Sequence, residues 1–433
     1  MKSIWNDVKK PEFKSLDGDI KTDVLIIGGG LCGILCAYML NKAGVDCVLA
    51  EANEICSGVT NGTTAKITIG HGLIYSEIAK KYGMDKASGY YESQSLAFKK
   101  LCELAMSFDC DFEYADSFVY SLKNRDAIEK EVDTLSKIGC KAEFCTKTEL
   151  PFKISGAVKI NKQAQFHPLK FALKVAKDLK IYENTKILGI QSGVAITEKG
   201  KIKAEKIIVA THFPFINKHG GYFLKMYQHR SYVLALENTC GIKNMYVDEK
   251  KDGLSFRNHN GLMLLGGGSH RTGDSGGGWE ELKKVKEKYY PHAKLTAKWA
   301  TQDCMTLDSI CYIGNYSKLT PNLYVATGFN KWGMTSSMLS GMILTDLICG
   351  KKNEYADIYS PSRSMLHPQL ALNIFESSKN LLTPKTPRCT HLGCALKYNK
   401  QEHTWDCPCH GSRFSEEGKL IDNPATKDIN QLK

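Results

Sequence analysis

The apolar run "VLIIGGG" at residues 24–30 lacks helical spacing, suits a buried strand, and ends in glycines. The next stretch, "LCGILCAYMLNKAG" (31–44), reads as a helix closed by Gly44. A second apolar strand, "VDCVLAE" (45–51), ends at Glu51, so the three pieces predict a βαβ unit. Further along, amphipathic helices are predicted around "SLAFKKLCELA" (95–105) and "AIEKEVDTLSKIG" (127–139), with a strand near "SFVYSL" (117–122). "FHPLKFALKVAKDLK" places Pro168 at a first helical position. "KIIVAT" (206–211) and "NLYVAT" (322–327) read as buried strands, the second leading through glycines into the helix "GMTSSMLSGMILTDLICG" (333–350). Residues 229–266 alternate in the manner of antiparallel strands. A connector over 351–388 carries a helix near "QLALNIFESSKNLL" and prolines at 384 and 387.

At 433 residues the chain is too long for one ordinary core, so two or three domains are expected. The formal charge of +12 raises a nucleic-acid reading. Against it, the lysines are scattered and pair locally with acids in "KNRDAIEKEVD" and "EELKKVKEK", as on solvated helix faces. No nucleic-acid partner is expected. The nearest membrane candidate, "MTSSMLSGMILTDLIC", contains Asp346 and several hydroxyls, so no transmembrane segment is expected. The start "MKSIWNDVKKPEF" has no apolar signal region, and the sixteen cysteines are dispersed rather than framed for disulfides. A cytoplasmic location is the expectation.

Two motifs carry chemistry. Gly28, Gly30 and Gly33 form G-x-G-x-x-G between strand and helix. The first allows the tight turn, the second lets backbone approach a pyrophosphate, and the third lets helix and strand close up. Glu51, eighteen residues past Gly33, is placed to accept ribose hydroxyls. This points to a dinucleotide, FAD or NAD. The other motif lies in the tail: C-x-H at Cys389 and His391, then fifteen residues, then C-x-x-H at Cys407 and His410. Two thiolates and two imidazoles are a ligand set for zinc or for an iron–sulfur centre.

The stretches "EANEICSGVTNGTTAKIT", "KIIVAT", "CMTLDSICYIG" and "NLYVATGFNKWGMT" resemble the D-amino-acid-oxidase superfamily of flavoproteins, the glycine and sarcosine oxidase group. The resemblance selects FAD. It implies that Ser57, Thr60, Thr63 and Thr64 cover the pyrophosphate, and that Gly328, Gly333, Met334 and Thr335 reach the flavin ring. "CMT" also resembles the sarcosine-oxidase stretch whose cysteine bonds the flavin, which makes Cys304 a covalent-attachment candidate; the other reading is a buried small apolar residue. The tail resembles the Rieske family, which implies a 2Fe-2S cluster on Cys389, His391, Cys407 and His410 and a disulfide between Cys394 and Cys409. Phe414 stands where respiratory Rieske proteins have a tyrosine that donates to a ligand sulfur; the other donor, Ser412, is present. Only "TPKTPR" separates the predicted helix from Cys389, so the Rieske domain looks truncated, and Leu392, Leu396 and Phe414 are expected to pack on another part of the protein or on another subunit.

The expected fold is α/β: an FAD-binding Rossmann-like domain with an antiparallel-sheet substrate domain over 1–360, a linker at 361–384, and a small all-β Rieske-type domain at 385–433. FAD-binding parts are expected at about 20–85, 150–215 and 300–350, and substrate-domain parts at about 86–149 and 216–299. The implied activity is oxidation of a C–N bond in a small amine or amino acid. Electrons would be exchanged through the cluster with a redox partner protein or oxygen. The alternative is an electron-transfer protein without its own organic substrate. His71, Tyr232, Lys331 and Trp332 are candidate catalytic residues. The relatives' substrate-gripping arginine is missing near Thr301 and Gln302, with Arg230 or Arg257 as replacements, or a neutral amine as the substrate.

Overall fold

The protein is described by a computed structural model covering residues 3–239, 241–384 and 387–429. The predicted βαβ unit forms as strand Ile20–Ile27, helix Leu31–Lys42 and strand Cys47–Ala50. Gly44 takes a φ of +76° to end the helix. These strands join Ile181–Tyr182, Lys201–Val209 and Leu323–Thr327 in a parallel sheet, with Tyr312–Asn315 antiparallel at one edge. Helices Leu31–Lys42 and Gly333–Ile348 pack together within one large apolar core. Burial on both faces explains why these strands read as unbroken Val, Ile and Leu.

A second sheet of nine strands holds the long hairpin-like set Met226–Glu237, Leu262–Arg271 and Lys294–Thr306 at one end. It is not wholly antiparallel as expected: Met245–Asp248 runs parallel to Glu113–Ser121. More than a hundred residues separate these two strands in sequence, and a long connection permits parallel pairing. Gly156–Gln165, expected within the FAD-binding part, belongs to this sheet, paired with Glu113–Ser121.

The tail is a four-stranded antiparallel meander of Lys397–Asn399, Thr404–Asp406, Arg413–Ser415 and Leu420–Asp422. It has its own small core of Cys389, Cys394, Leu396, Cys407, Cys409, Phe414 and Ala425. This corrects the expectation that Leu396 and Phe414 pack elsewhere; Leu392 is 40% exposed. The cysteines do the packing that a fuller sheet would otherwise do. Helix Pro368–Leu382 bridges the parts: Asn373 donates to the Leu224 carbonyl, and the Asn380 carbonyl accepts from the Ala395 amide. Among the described residues, no helix is long and apolar enough to cross a membrane.

Candidate functional site

The carboxyl ends of the parallel strands open onto a cavity of about 620 Å³, the usual place for a dinucleotide in such a sheet. Two of the three motif glycines are required by close backbone approach, and the third leaves open space. A β-carbon on Gly28, whose φ is +110°, would lie 2.5 Å from the Ala210 carbonyl oxygen, and one on Gly33 would lie 1.9 Å from the Gly28 oxygen. Gly30 is free of such crowding: its nearest neighbour would be Thr60 Oγ1 at 3.5 Å, so the space above it is open to the cavity. That open cradle beside the N-terminus of Leu31–Lys42 fits a pyrophosphate. Glu51 accepts from the Gly29 amide at 2.6 Å and the Asn53 amide at 2.9 Å, which fixes its carboxylate at the strand end. Thr60 accepts from the Leu31 amide, and Thr63 from the Ala65 amide. Thr64 accepts from Lys66 Nζ. Ser57 is exposed and turns back to the Glu54 carbonyl, yet it too lines the cavity.

At the far end, helix Gly333–Ile348 begins at the cavity wall with Gly333 and Met334 lining it and no side chain capping it. Gly328, φ +72°, has room only for hydrogen, since a β-carbon would meet Thr306 Cγ2 at 2.3 Å. His71, Lys331 and Trp332 lie together on this wall. His71 stacks on Trp332 at 4.9 Å between centroids. Its Nδ1 meets Tyr90 Oη at 2.8 Å, and its Nε2 meets the Thr68 carbonyl and Thr335 Oγ1. Burial pushes its pKa down to about 3, so the ring is neutral and fully engaged. It holds Trp332 in place. Lys331 Nζ donates to the Lys251 carbonyl at 2.6 Å and to Ser269 Oγ at 3.4 Å. Burial lowers its pKa, partly opposed by the charge of Asp303. Asp303, Ser231 and Ser269 also line the cavity and were missed from the sequence. For Ser231 and Asp303 the signal was an unusual polarity in the strands "QHRSYV" and "TQDCMT".

That polarity has a structural cause. Strands Met226–Glu237 and Lys294–Thr306 pair residue by residue, with Gln228 opposite Cys304, His229 opposite Asp303, and Arg230 opposite Gln302. Alternate residues face opposite sides of a sheet. On one side, Gln228 donates to the His410 carbonyl, Gln302 to the Gly411 carbonyl, and Arg230 binds Glu402 through both its oxygens. The other side carries Ser231 and Asp303 to the cavity. Tyr232, expected near the chemistry, lines the cavity and also donates to Glu402 Oε1 of the tail at 3.1 Å. Arg230 is likewise committed to the tail, and Arg257 is wholly buried against the carbonyls of Ala65 and Phe166. Neither is a substrate-gripping arginine, and among the described residues no arginine lines the cavity. Cys304 sits in an apolar cluster with Met226, Phe213 and Tyr312, and burial pushes its thiol well above the ordinary range.

The tail's proposed ligands converge. Burial pushes His391 down to about 4 and His410 to about 3, so both imidazoles are neutral. Their Nδ1 atoms are buried with no hydrogen-bond partner, and the rings stand 5.0 Å apart. Cys389 and Cys407 are buried together in the tail core, and the Cys407 amide donates to the Ser412 carbonyl at 2.8 Å. Unpaired buried nitrogens on both imidazoles, with two thiols buried in the same small core, fit a two-iron, two-histidine cluster. Cys394 and Cys409 are free thiols here, with sulfurs within 4.8 Å of each other and of Cys407. His391 Nε2 lies 2.8 Å from Asn217 Oδ1, and His410 packs between Phe213 and Phe223. The histidine edge of the ligand set therefore faces the larger domain.

Residues 23–347 match the FAD dependent oxidoreductase family, and residues 363–433 match the Rieske 2Fe-2S domain. A Bacillus subtilis (strain 168) protein, YhfW, named as a Rieske 2Fe-2S iron-sulfur protein, is 34% identical over 98% of this chain and 95% of its own length. The gamma-glutamylputrescine oxidoreductase of Escherichia coli K12 is 24% identical over 80% of this chain and 88% of its own. Among solved structures, glycine oxidase from Geobacillus kaustophilus superposes with a TM-score of 0.66 at 21% identity, covering 79% of this chain and 99% of that one.

Proposed function

Since the chain belongs to the FAD dependent oxidoreductase family and ends in a Rieske 2Fe-2S domain, we propose that it oxidises the C–N bond of a small amine or amino acid and exchanges the electrons between flavin and cluster. Bound FAD supplies the two-electron acceptor, and the cluster a one-electron carrier. The observation that carries the reading is the two-sided strand pair, with Gln228 and Gln302 holding the His410 and Gly411 carbonyls of the cluster loop, Arg230 holding Glu402 of the tail, and Ser231 and Asp303 facing the cavity. One rigid element thus separates the substrate chamber from the metal loop. Asn217 and the rings of Phe213 and Phe223 cover the histidine edge. That arrangement favours exchange within the chain over exchange through this edge with an outside protein.

Among the charged side chains on the cavity wall, Lys331 and Asp303 sense each other's charge. Lys331 supplies a donor for a substrate carboxylate, the role that Arg230 and Arg257 do not fill. Asp303, whose carboxyl is raised by burial, faces the amine side and accepts a proton as the nitrogen becomes neutral. Trp332, braced by His71, closes the chamber against water. The test is anaerobic titration of yellow holoprotein with primary amines, secondary amines and α-amino acids. Bleaching of the flavin band by one class supports the reading. Failure of every class to bleach it, while dithionite does, supports instead an electron relay without an organic substrate.

A further inference from the structure

The same cavity has a wall that the dinucleotide fold does not provide. Leu420, Ile421, Asp422, Asn423, Ala425, Thr426 and Asp428, all from the closing segment of the tail, line it together with Glu51–Glu54 and Thr185–Ile187. This is the carboxyl edge of the parallel sheet. Glu51 follows strand Cys47–Ala50, Thr185 follows strand Ile181–Tyr182, and residues 210–213 follow strand Lys201–Val209. A carboxylate at the end of the second strand marks the adenosine half of a dinucleotide. The tail is tied to that edge at several points. Asn423 Nδ2 donates to the Thr211 and Phe213 carbonyls at 2.6 and 2.9 Å, and Lys186 Nζ donates to the Thr426 carbonyl at 2.8 Å. His212, between the two carbonyls that Asn423 holds, lines the cavity with φ +65° and a buried Nε2 that has no partner. A buried imidazole nitrogen without a partner is costly unless something in the cavity meets it.

The wall is also wired to the metal loop. The Ala425 amide donates to Ser412 Oγ at 3.0 Å, and the Ser412 carbonyl accepts from the Cys407 amide at 2.8 Å. Arg413 bonds to Asp422, and Ala425 shares the tail core with Cys389 and Cys407. Gln228 holds the His410 carbonyl and the Asn423 carbonyl with one amide group.

We propose that the closing segment of the Rieske domain, around Asn423–Thr426, is part of the FAD-binding site, and that loading the cluster tightens the hold on FAD. Metal on Cys389 and Cys407 fixes the loop that carries Ser412. Ser412 in turn fixes Ala425, and Asn423 keeps the wall closed over the adenosine half. Linkage is reciprocal, so bound FAD also favours a loaded cluster. The proposal rests on the FAD reading, and a colourless wild-type protein that takes up no FAD would fail that reading before this one is tested.

The experiment measures FAD loss from wild-type holoprotein after dilution, by the rise of free-flavin fluorescence. It is repeated on protein stripped of iron by a chelator under reducing conditions, and on Asn423→Ala with its cluster EPR recorded in parallel. Asn423→Ala removes two hydrogen bonds, so FAD should leave about tenfold faster while the cluster signal stays. Iron-stripped wild type should lose FAD faster than loaded wild type, and reconstitution should restore the slow rate. Should Asn423→Ala fail to fold, the iron comparison on wild type decides. Equal FAD loss with and without iron overturns the linkage, and a folded, cluster-bearing Asn423→Ala that keeps FAD as wild type does overturns the wall.

Discussion

Lys331 has a φ of +75° and its neighbour Asn330 a φ of +51°, a pair of left-handed residues without glycine. Such a turn is strained and persists only where its surroundings hold it. Here Asn330 Oδ1 accepts from the Thr306 amide at 2.8 Å, and its Nδ2 donates to the Gly328 carbonyl at 2.6 Å. The turn aims the Lys331 ammonium along the cavity wall. Lys331→Met should raise KM for a carboxylate-bearing substrate about tenfold or more while moving kcat less, because a charge-assisted hydrogen bond is worth about 1.5–3 kcal/mol; steady-state kinetics checks it. Cys304 leads to a second expectation. Its thiol is buried, raised in pKa and packed with Met226 and Phe213, so acid precipitation should release the flavin into the supernatant, and flavin retained in the pellet would contradict this. A third concerns Phe414, which lies in the tail core with both ligand cysteines and has no hydroxyl to offer them. Phe414→Tyr adds one donor to a ligand sulfur. It should raise the cluster potential by about 40 mV, the one-electron equivalent of roughly 1 kcal/mol, read by EPR-monitored redox titration.

At the scale of elements, the βαβ unit was legible because apolar runs, a helix-closing glycine and the motif glycines all agreed. Gly33→Ala tests that unit: the added carbon would lie 1.9 Å from the Gly28 oxygen, which forces helix Leu31–Lys42 off strand Ile20–Ile27. Purified Gly33→Ala should contain little FAD, as read from its absorption spectrum. The strand pair Met226–Glu237 and Lys294–Thr306 was legible as strands but not in its purpose. Arg230 and Tyr232 read as active-site candidates because polar residues in a buried strand normally mark a site. Both reach Glu402 at the docking face of the tail, and Tyr232 lines the cavity as well. Periodicity separates two faces; it does not say which face meets which partner. The parallel placement of Met245–Asp248 was equally hidden, since pairing direction depends on topology rather than on residue type.

For the whole molecule, the two motifs far apart in sequence were the readable part, and the way they meet was not. Their junction is polar, centred on a buried carboxylate. Glu402 is bound by Arg230, Arg413 and Tyr232, and despite the cost of burial its pKa is lowered to about 2. A carboxyl whose folded pKa lies below its unfolded value stabilises fully above the unfolded value and loses that contribution as pH falls. The junction should therefore hold near neutral pH and weaken progressively from about pH 4.5 towards pH 2. Tryptophan fluorescence of Trp405 and Trp279, both close to the junction, follows it. Arg230→Ala should lower the stability of the docked tail by about 3–5 kcal/mol, because it removes one partner of a buried ion pair.

The central claim is that electrons taken from a C–N bond pass between the front and tail sites of one molecule. It is tested most directly by freezing oxidised holoprotein within one turnover of anaerobic mixing with a substrate that bleaches the flavin, then recording EPR. The account predicts a rhombic signal with a low average g value, typical of a reduced two-histidine cluster, at protein dilutions where encounters between molecules are too slow to produce it. A bleached flavin beside an EPR-silent, still-oxidised cluster would contradict it.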